Sequence, residues 1–299
     1  MAQCKESICI YGVPGAGKTT QAQELAKYVH RKLGKKIRLA STSGGGWTSI
    51  QPAIDIGIIV PAYLRGRDHA VETMDQITRG YWPENVDDPK SPMLPPDKQK
   101  DYGDIGGYVF DGITESADWM MEKLNAAEAR GEIKISALSI RFQDGKTQYG
   151  SPAMAHYGLV QSRITGFIAQ SRTLADMYLL WTALELKATD DNSRLPLYGP
   201  DVIGRAKTAS SPAMFANTLH LYLTGAGGLK KGPVIRRLYL TTHFEDDGIP
   251  YLAKNRGHYY APLPEYLEGK DCSLYVFLEK LEESYKEASA KLTQELKVT

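Results

Sequence analysis

Residues 12–19 read Gly-Val-Pro-Gly-Ala-Gly-Lys-Thr and match G-x-x-x-x-G-K-[ST] at every specified position. No other stretch constrains the fold as tightly, because the pattern works only as the turn between a buried strand and a helix. The run before it, Ile8-Cys9-Ile10-Tyr11, is short and apolar, as suits a strand covered on both faces of a parallel sheet. After it, Ala22, Leu25, Ala26, Val29 and Leu33 recur at helical spacing, and Gly34 supplies a stop. Residues 36–41 then alternate, Ile37 and Leu39 against Lys36 and Arg38, which predicts a second strand. Strand, turn, helix and strand make a βαβ unit whose crossover should be right-handed.

Glycines in such a turn let backbone N–H groups curl around an anion, and the helix N-terminus adds partial positive charge. Gly12, Val13, Pro14, Gly15, Ala16, Gly17, Lys18, Thr19 and Thr20 are therefore the candidate nucleotide contacts. Lys18 is expected on the β- and γ-phosphates and the Thr19 hydroxyl on Mg²⁺, so ATP and Mg²⁺ are the cofactors implied. Asp111 ends the apolar run Tyr108-Val109-Phe110. An acid there faces the carboxyl edge of the sheet and is the second candidate metal residue. Hydrolysis also needs a group that orients water. Glu115 and Glu185 are the candidates, with Thr182 as a candidate sensor of the γ-phosphate; either acid also reads as a surface charge opening a helix or loop.

The remaining chain predicts an α/β fold. A short strand is expected within residues 56–64, a short helix over 69–79 and a buried strand over 107–111, followed by a helix through Ala117, Met120, Met121, Leu124 and Ala127. A helix over 155–174 leads into a strand over 177–184, and two adjacent strands are expected at 219–223 and 234–241. Residues 82–105, rich in proline and charge, read as a long surface loop. Leu274, Leu278, Leu281, Tyr285, Ala288, Leu292 and Leu296 step at near-heptad spacing. They predict a C-terminal amphipathic helix over 269–299, set on residues 1–268, that packs on its own core or on a neighbouring subunit.

Thirty-six Lys and Arg against 35 Asp and Glu leave a net charge of +1, so any nucleic-acid site must be a local patch. No apolar run approaches the roughly 20 residues of a membrane span. Cys4, Cys9 and Cys272 are scattered and odd in number, which fits neither a disulfide framework nor a zinc site. With no signal-peptide pattern at the start, a cytoplasmic chain is expected. The basic group Arg31, Lys32, Lys35, Lys36 and Arg38 lies at the far end of the first helix and reads as dipole complement and solubility.

Taken in order, the phosphate loop, Val109-Phe110-Asp111-Gly112-Ile113-Thr114, and the strand ending Leu184-Glu185 resemble the RecA-type ATPase core. The likeness is strongest to phage-encoded RecA-like ATPases of single-strand annealing and recombination. Pro196-Leu197-Tyr198-Gly199 with Gly204-Arg205-Ala206-Lys207 resembles a downstream Gly-Lys segment of that group. Ala253-Lys254-Asn255-Arg256-Gly257 resembles the element by which RecA-like helicases reach a neighbour's γ-phosphate. The resemblance implies a RecA-like P-loop core with a mostly parallel central sheet, helices on both faces and late antiparallel strands. It also implies ATP hydrolysis, a homo-oligomer with Lys254 and Arg256 as catalytic cations, and a host-cell cytoplasmic location if phage-encoded. Single-stranded DNA is then expected on loops 141–149 and 194–207, which mix Arg141, Lys146, Arg205 and Lys207 with Tyr149 and Tyr198. Lys230-Lys231 with Arg236-Arg237 forms a third basic patch. One departure stands out: residues 40–44, Ala-Ser-Thr-Ser-Gly, carry no acid where RecA recombinases place a catalytic glutamate. A P-loop kinase and a nucleotide-latched assembly protein are the competing readings.

Overall fold

A computed structural model describes residues 4–42, 47–64, 70–135, 141–144, 147–150, 154–189, 193–202, 208–223, 235–244, 248–255 and 263–298. The chain opens with β1 (Glu6–Gly12), α1 (Lys18–Leu33) and β2 (Lys36–Ser41), the anticipated βαβ unit. Gly34 stops α1 in the left-handed conformation, its N–H donating to the His30 carbonyl. Then follow α2 (Gln51–Asp55), β3 (Ile59–Tyr63), α3 (Ala70–Ile77), and the two-residue strands β4 (Trp82–Pro83) and β5 (Met93–Leu94). The middle of the chain supplies β6 (Ile105–Asp111), α4 (Ile113–Ala129), the hairpin β7 (Arg141–Asp144) and β8 (Thr147–Gly150), and α5 (Met154–Ser171). Next are β9 (Tyr178–Thr189), β10 (Pro196–Pro200), β11 (Asn217–Leu223) and β12 (Arg236–Tyr239). The chain closes with β13 (His243–Phe244), β14 (Pro250–Tyr251), β15 (Tyr266–Glu268) and the helix α6 (Leu274–Val298).

Six strands run parallel in the order β3-β2-β6-β9-β1-β11, and β12 and β15 extend the sheet antiparallel. This is the expected α/β architecture of a mostly parallel sheet, late antiparallel strands and a C-terminal helix. β9 is the long strand. Its first half lies between β6 and β1, and its second half pairs antiparallel with β10, which carries β14 and β13 beside it.

Strand alternation divides the core into two layers. Ile8, Ile10, Val109 and Leu180 face Leu25, Ala26 and Val29 of α1 and Leu274, Phe277, Leu278 and Leu281 of α6. Cys9, Tyr11, Tyr108, Phe110 and Trp181 face Met120 of α4 and Val160, Ile164, Phe167 and Ile168 of α5. Each large apolar side chain so covered contributes roughly 1.5–3 kcal/mol. Helices on both faces are what a parallel sheet needs. The first half of α6 packs on its own core, anchored by Leu274 N donating to Gln21 Oε1 at 2.7 Å and by the Lys32–Glu282 pair at 2.7 Å. Its last turns leave Leu292 and Leu296 57% and 70% exposed. Among the described residues no helix is long and apolar enough to cross a membrane.

Two expectations need correction. Arg38 is no surface charge: it is 1% exposed, with its guanidinium 5.0 Å from the Trp82 ring and paired to Asp101 at 2.8 Å. Residues 82–105 are not a structureless loop either. They hold β4, β5 and two short 3₁₀ turns, and they bury Trp82 and Ile105. The two findings are one: the excursion covers the face of β2 that alternation alone assigns to water, and Arg38 pins it there through cation–π contact and charge.

Candidate functional site

The turn between β1 and α1 is shaped for close approach. A Cβ on Gly12 would stand 2.3 Å from the Leu221 carbonyl oxygen of β11, so only glycine fits against that strand. Gly15 and Gly17 take φ values of +77° and +100°, the alternation that turns successive amides toward one point. Ala16 is buried beneath the turn. α1 then begins at Lys18 with no side-chain cap and no acid of its own in the first turn, so no residue of the helix itself neutralises its positive end. The Lys18 ammonium folds back on the loop, donating to the carbonyls of Gly12 at 2.8 Å and Val13 at 3.0 Å. Burial holds its pKa below the ordinary lysine value, against the opposing charges of Glu115, Asp111 and Glu185.

Asp111 ends β6 one strand beyond β9, and is only 4% exposed. Thr19 donates to its Oδ2 at 3.1 Å and Thr182 to its Oδ1 at 2.6 Å. Thr182 also accepts the Gly112 N–H at 2.8 Å, so its hydroxyl is committed to bracing Asp111 and the turn behind it. Burial raises the Asp111 pKa, and the two hydroxyls and Lys18 oppose the rise. One carboxylate with an adjacent hydroxyl is a donor set that fits Mg²⁺, which binds through one or two protein groups and takes its other ligands from water and phosphate. Among the described residues no group of three or more His, Cys, Asp or Glu is placed to hold a metal on its own.

Glu115 lies in the first turn of α4. Its Oε2 and the Thr42 hydroxyl each come within 2.9 Å of where a Cβ on Gly112 would stand. Thr42, which follows β2, and Glu115 of α4 thus both crowd the Gly112 turn. Glu185 stands in β9 just past Leu184, the partner of Gly12. Its Oε2 lies 2.6 Å from Nε2 of His220 in β11. Lys18, Thr19, Asp111, Thr182, Glu115 and Glu185, scattered over some 170 residues of sequence, therefore meet at one sheet edge.

Other candidates lie elsewhere. The Lys254 ammonium donates to the Phe215 carbonyl at 3.4 Å. The next residue, Ala216, bonds the Ser7 carbonyl, so Lys254 reaches the opposite end of β1 from Gly12 and is not brought to its own phosphate loop. Arg256, Arg205, Lys207, Lys146, Lys230 and Lys231 lie outside the described residues. Of the 141–149 segment, the described residues pair antiparallel as β7 and β8, and Tyr198 of the 194–207 segment stacks on Tyr251 at 4.4 Å with Lys187 5.3 Å from its ring.

Two residues enter the site that the sequence did not assign to it, Arg236, which reads there as part of a basic patch, and His220, which carries no motif. Arg236 begins β12, and its Nε lies 3.8 Å from where a Cβ on Gly17 would stand, on the side of the Thr20 hydroxyl at 3.9 Å. Arg237 points the other way, to Glu268 at 2.5 Å and over the Tyr266 ring. Strand alternation splits the pair, and that signal was present in the sequence. His220 is the second; it reads as one polar letter in an apolar strand, and its partner lies 35 residues away.

No protein-family model matches the chain, and no curated protein matches it. Solved structures that are similar in part include the following two. The RadB recombinase aligns at 13% identity and a TM-score of 0.41, over 84% of this chain and 92% of that one. A KaiC-like protein, PH0186, from the hyperthermophilic archaeon Pyrococcus horikoshii OT3 aligns at 9% identity and a TM-score of 0.39, over 78% of this chain and 77% of that one.

Proposed function

We propose that this chain binds and hydrolyses ATP as a RecA-like P-loop ATPase and acts on single-stranded DNA in phage recombination or replication, as a homo-oligomer. The observation that carries the nucleotide reading is the convergence of Thr19, Thr182 and Asp111 beside the turn that Lys18 closes. In this reading Lys18 leaves the Gly12 and Val13 carbonyls and meets the β- and γ-phosphates. Gly12, Val13, Pro14, Gly15, Ala16 and Gly17 line the phosphates, with Thr20 and Arg236 on the side away from the metal. Thr19 and Asp111 hold Mg²⁺, which supplies charge neutralisation between the phosphates when bound. Thr182 keeps Asp111 in place, and Glu115 and Glu185 flank the position of the attacking water.

DNA handling rests on the family resemblance and on the basic and aromatic character of the 141–149 and 194–207 segments. Lys254, tied to the far end of β11, and Arg256 are assigned to a neighbouring subunit's phosphate. The test is phosphate release from Mg·ATP by purified protein, with and without single-stranded DNA and with no phosphate acceptor present. DNA-stimulated release that Lys18→Ala abolishes is the expected result. Release only when an acceptor is added would establish a kinase instead, and binding without turnover would establish a latch.

A further inference from the structure

His220 is fully buried in β11, opposite Tyr11 of β1. Its ring stacks on Tyr11 at 4.6 Å and on Tyr251 at 4.9 Å, with His243 at 5.1 Å. Nε2 lies 2.6 Å from Glu185 Oε2, while Nδ1 has no hydrogen-bond partner among the described residues. These facts fix the chemistry of the contact. A bare Nε2 lone pair facing a carboxylate at that distance would be repelled, so Nε2 carries a proton and donates it to Glu185.

We propose that His220 is a positioning residue for hydrolysis: it holds Glu185 through Oε2, so that Oε1 is presented to the water that attacks the γ-phosphate. This rests on the hydrolysis proposed above. Glu185 starts level with the phosphate loop, because its neighbour Leu184 pairs with Gly12. Its charge is felt at Lys18. Glu185 and Tyr11 lie on one face of the sheet, two residues beyond the Ala183–Tyr11 pair, so the carboxylate can cross β1 to reach the imidazole. A free glutamate samples many rotamers, and ordering it costs conformational entropy. A short bond to a ring wedged between two tyrosines removes that freedom before nucleotide arrives. A base oriented by a third group is the recurring arrangement where a nucleophile must be aimed. As the water oxygen bonds to the γ-phosphorus and the bond to the bridging oxygen of the diphosphate breaks, the water's proton passes to Glu185 Oε1 and then to solvent. His220 keeps its own proton throughout.

Two substitutions separate the donor from the ring. His220→Phe keeps the aromatic stack and removes the N–H, whereas His220→Gln keeps an N–H donor of similar reach. In Mg·ATP hydrolysis, His220→Phe should lower kcat about 10- to 100-fold with KM within about twofold, a loss in the range of acid–base contributions. His220→Gln should recover most of it. Parental kcat in His220→Phe, or a change confined to KM, would overturn the proposal. Nitrogen-15 NMR of the histidine-labelled parent, which needs no folded variant, should find the His220 proton on Nε2. A neutral ring protonated on Nδ1 alone would also overturn it. A parent that fails to hydrolyse ATP sinks the hydrolysis reading and the water-orienting role with it, and the tautomer, measured without nucleotide, still reports separately whether the pair exists.

Discussion

The two flanks of the phosphate loop are built by different means. On the side proposed to hold Mg²⁺, Thr19 comes from the first turn of α1, Asp111 from the end of β6 and Thr182 from the β9 segment beside it, and short hydroxyl-to-carboxylate bonds join them. On the opposite side, Glu185 reaches across β1 to an imidazole set in an aromatic slab of Tyr11, Tyr239, His243 and Tyr251. The first flank is small, polar and local to the strand ends. The second is large and flat, and it depends on β10, β13 and β14 folding back over the sheet. Short hydroxyls are enough to brace Asp111, whereas fixing the long Glu185 carboxylate takes a second layer of side chains.

Substitutions can break this contrast. The largest effect is expected at Asp111→Asn, which should lower Mg·ATP turnover about 100-fold or more and raise the Mg²⁺ concentration needed for half-maximal rate, read by steady-state kinetics. Unchanged turnover would mean that the metal flank is structural.

A middle-sized effect should separate the flanks by pH. Burial first, and then the neighbouring His220, push the His243 pKa down to about 3. Tyr239, Tyr251 and His220 face its ring. The folded chain thus keeps His243 neutral, while the unfolded chain takes up a proton near the ordinary histidine value of about 6.5. Protons therefore favour unfolding: stability should fall as pH drops below about 6.5 and keep falling toward about 3, and be flat with respect to this group above that window. Thermal midpoints measured across that range should show the slope, and His243→Phe should flatten it. An equal slope in both proteins would remove the aromatic slab as its source.

The smallest effect is expected at Arg236→Ala. It should weaken nucleotide binding several-fold with little change in kcat, as loss of one exposed charge-assisted contact would. Equal affinity in a fluorescent-nucleotide titration would take Arg236 out of the site.

Much of the fold was legible because contiguous signals carried it. The phosphate loop, its flanking strand and helix, and the strand ending in Asp111 all stand where spacing put them. Arg38 shows where such reading stops. Its alternation with Ile37 and Leu39 was right, but the face it occupies is covered by Trp82 and Asp101, which lie 44 and 63 residues further along the chain. Polarity therefore said nothing about burial there. The site divides the same way. Lys18, Thr19 and Asp111 follow from motifs, whereas the bracing role of Thr182 depends on β9 being threaded between β1 and β6, and strand order is not written in any local pattern.

That threading has a mechanical consequence. A single twelve-residue ribbon carries the brace of Asp111 at Thr182, the carboxylate at Glu185, and the Lys187 ammonium beside Tyr198. A load applied at its Thr189 end acts roughly 13 Å from Glu185, at about 3.3 Å per residue. The strand is continuous between those points, so bending it displaces the Thr182 hydroxyl and the Glu185 carboxylate in concert.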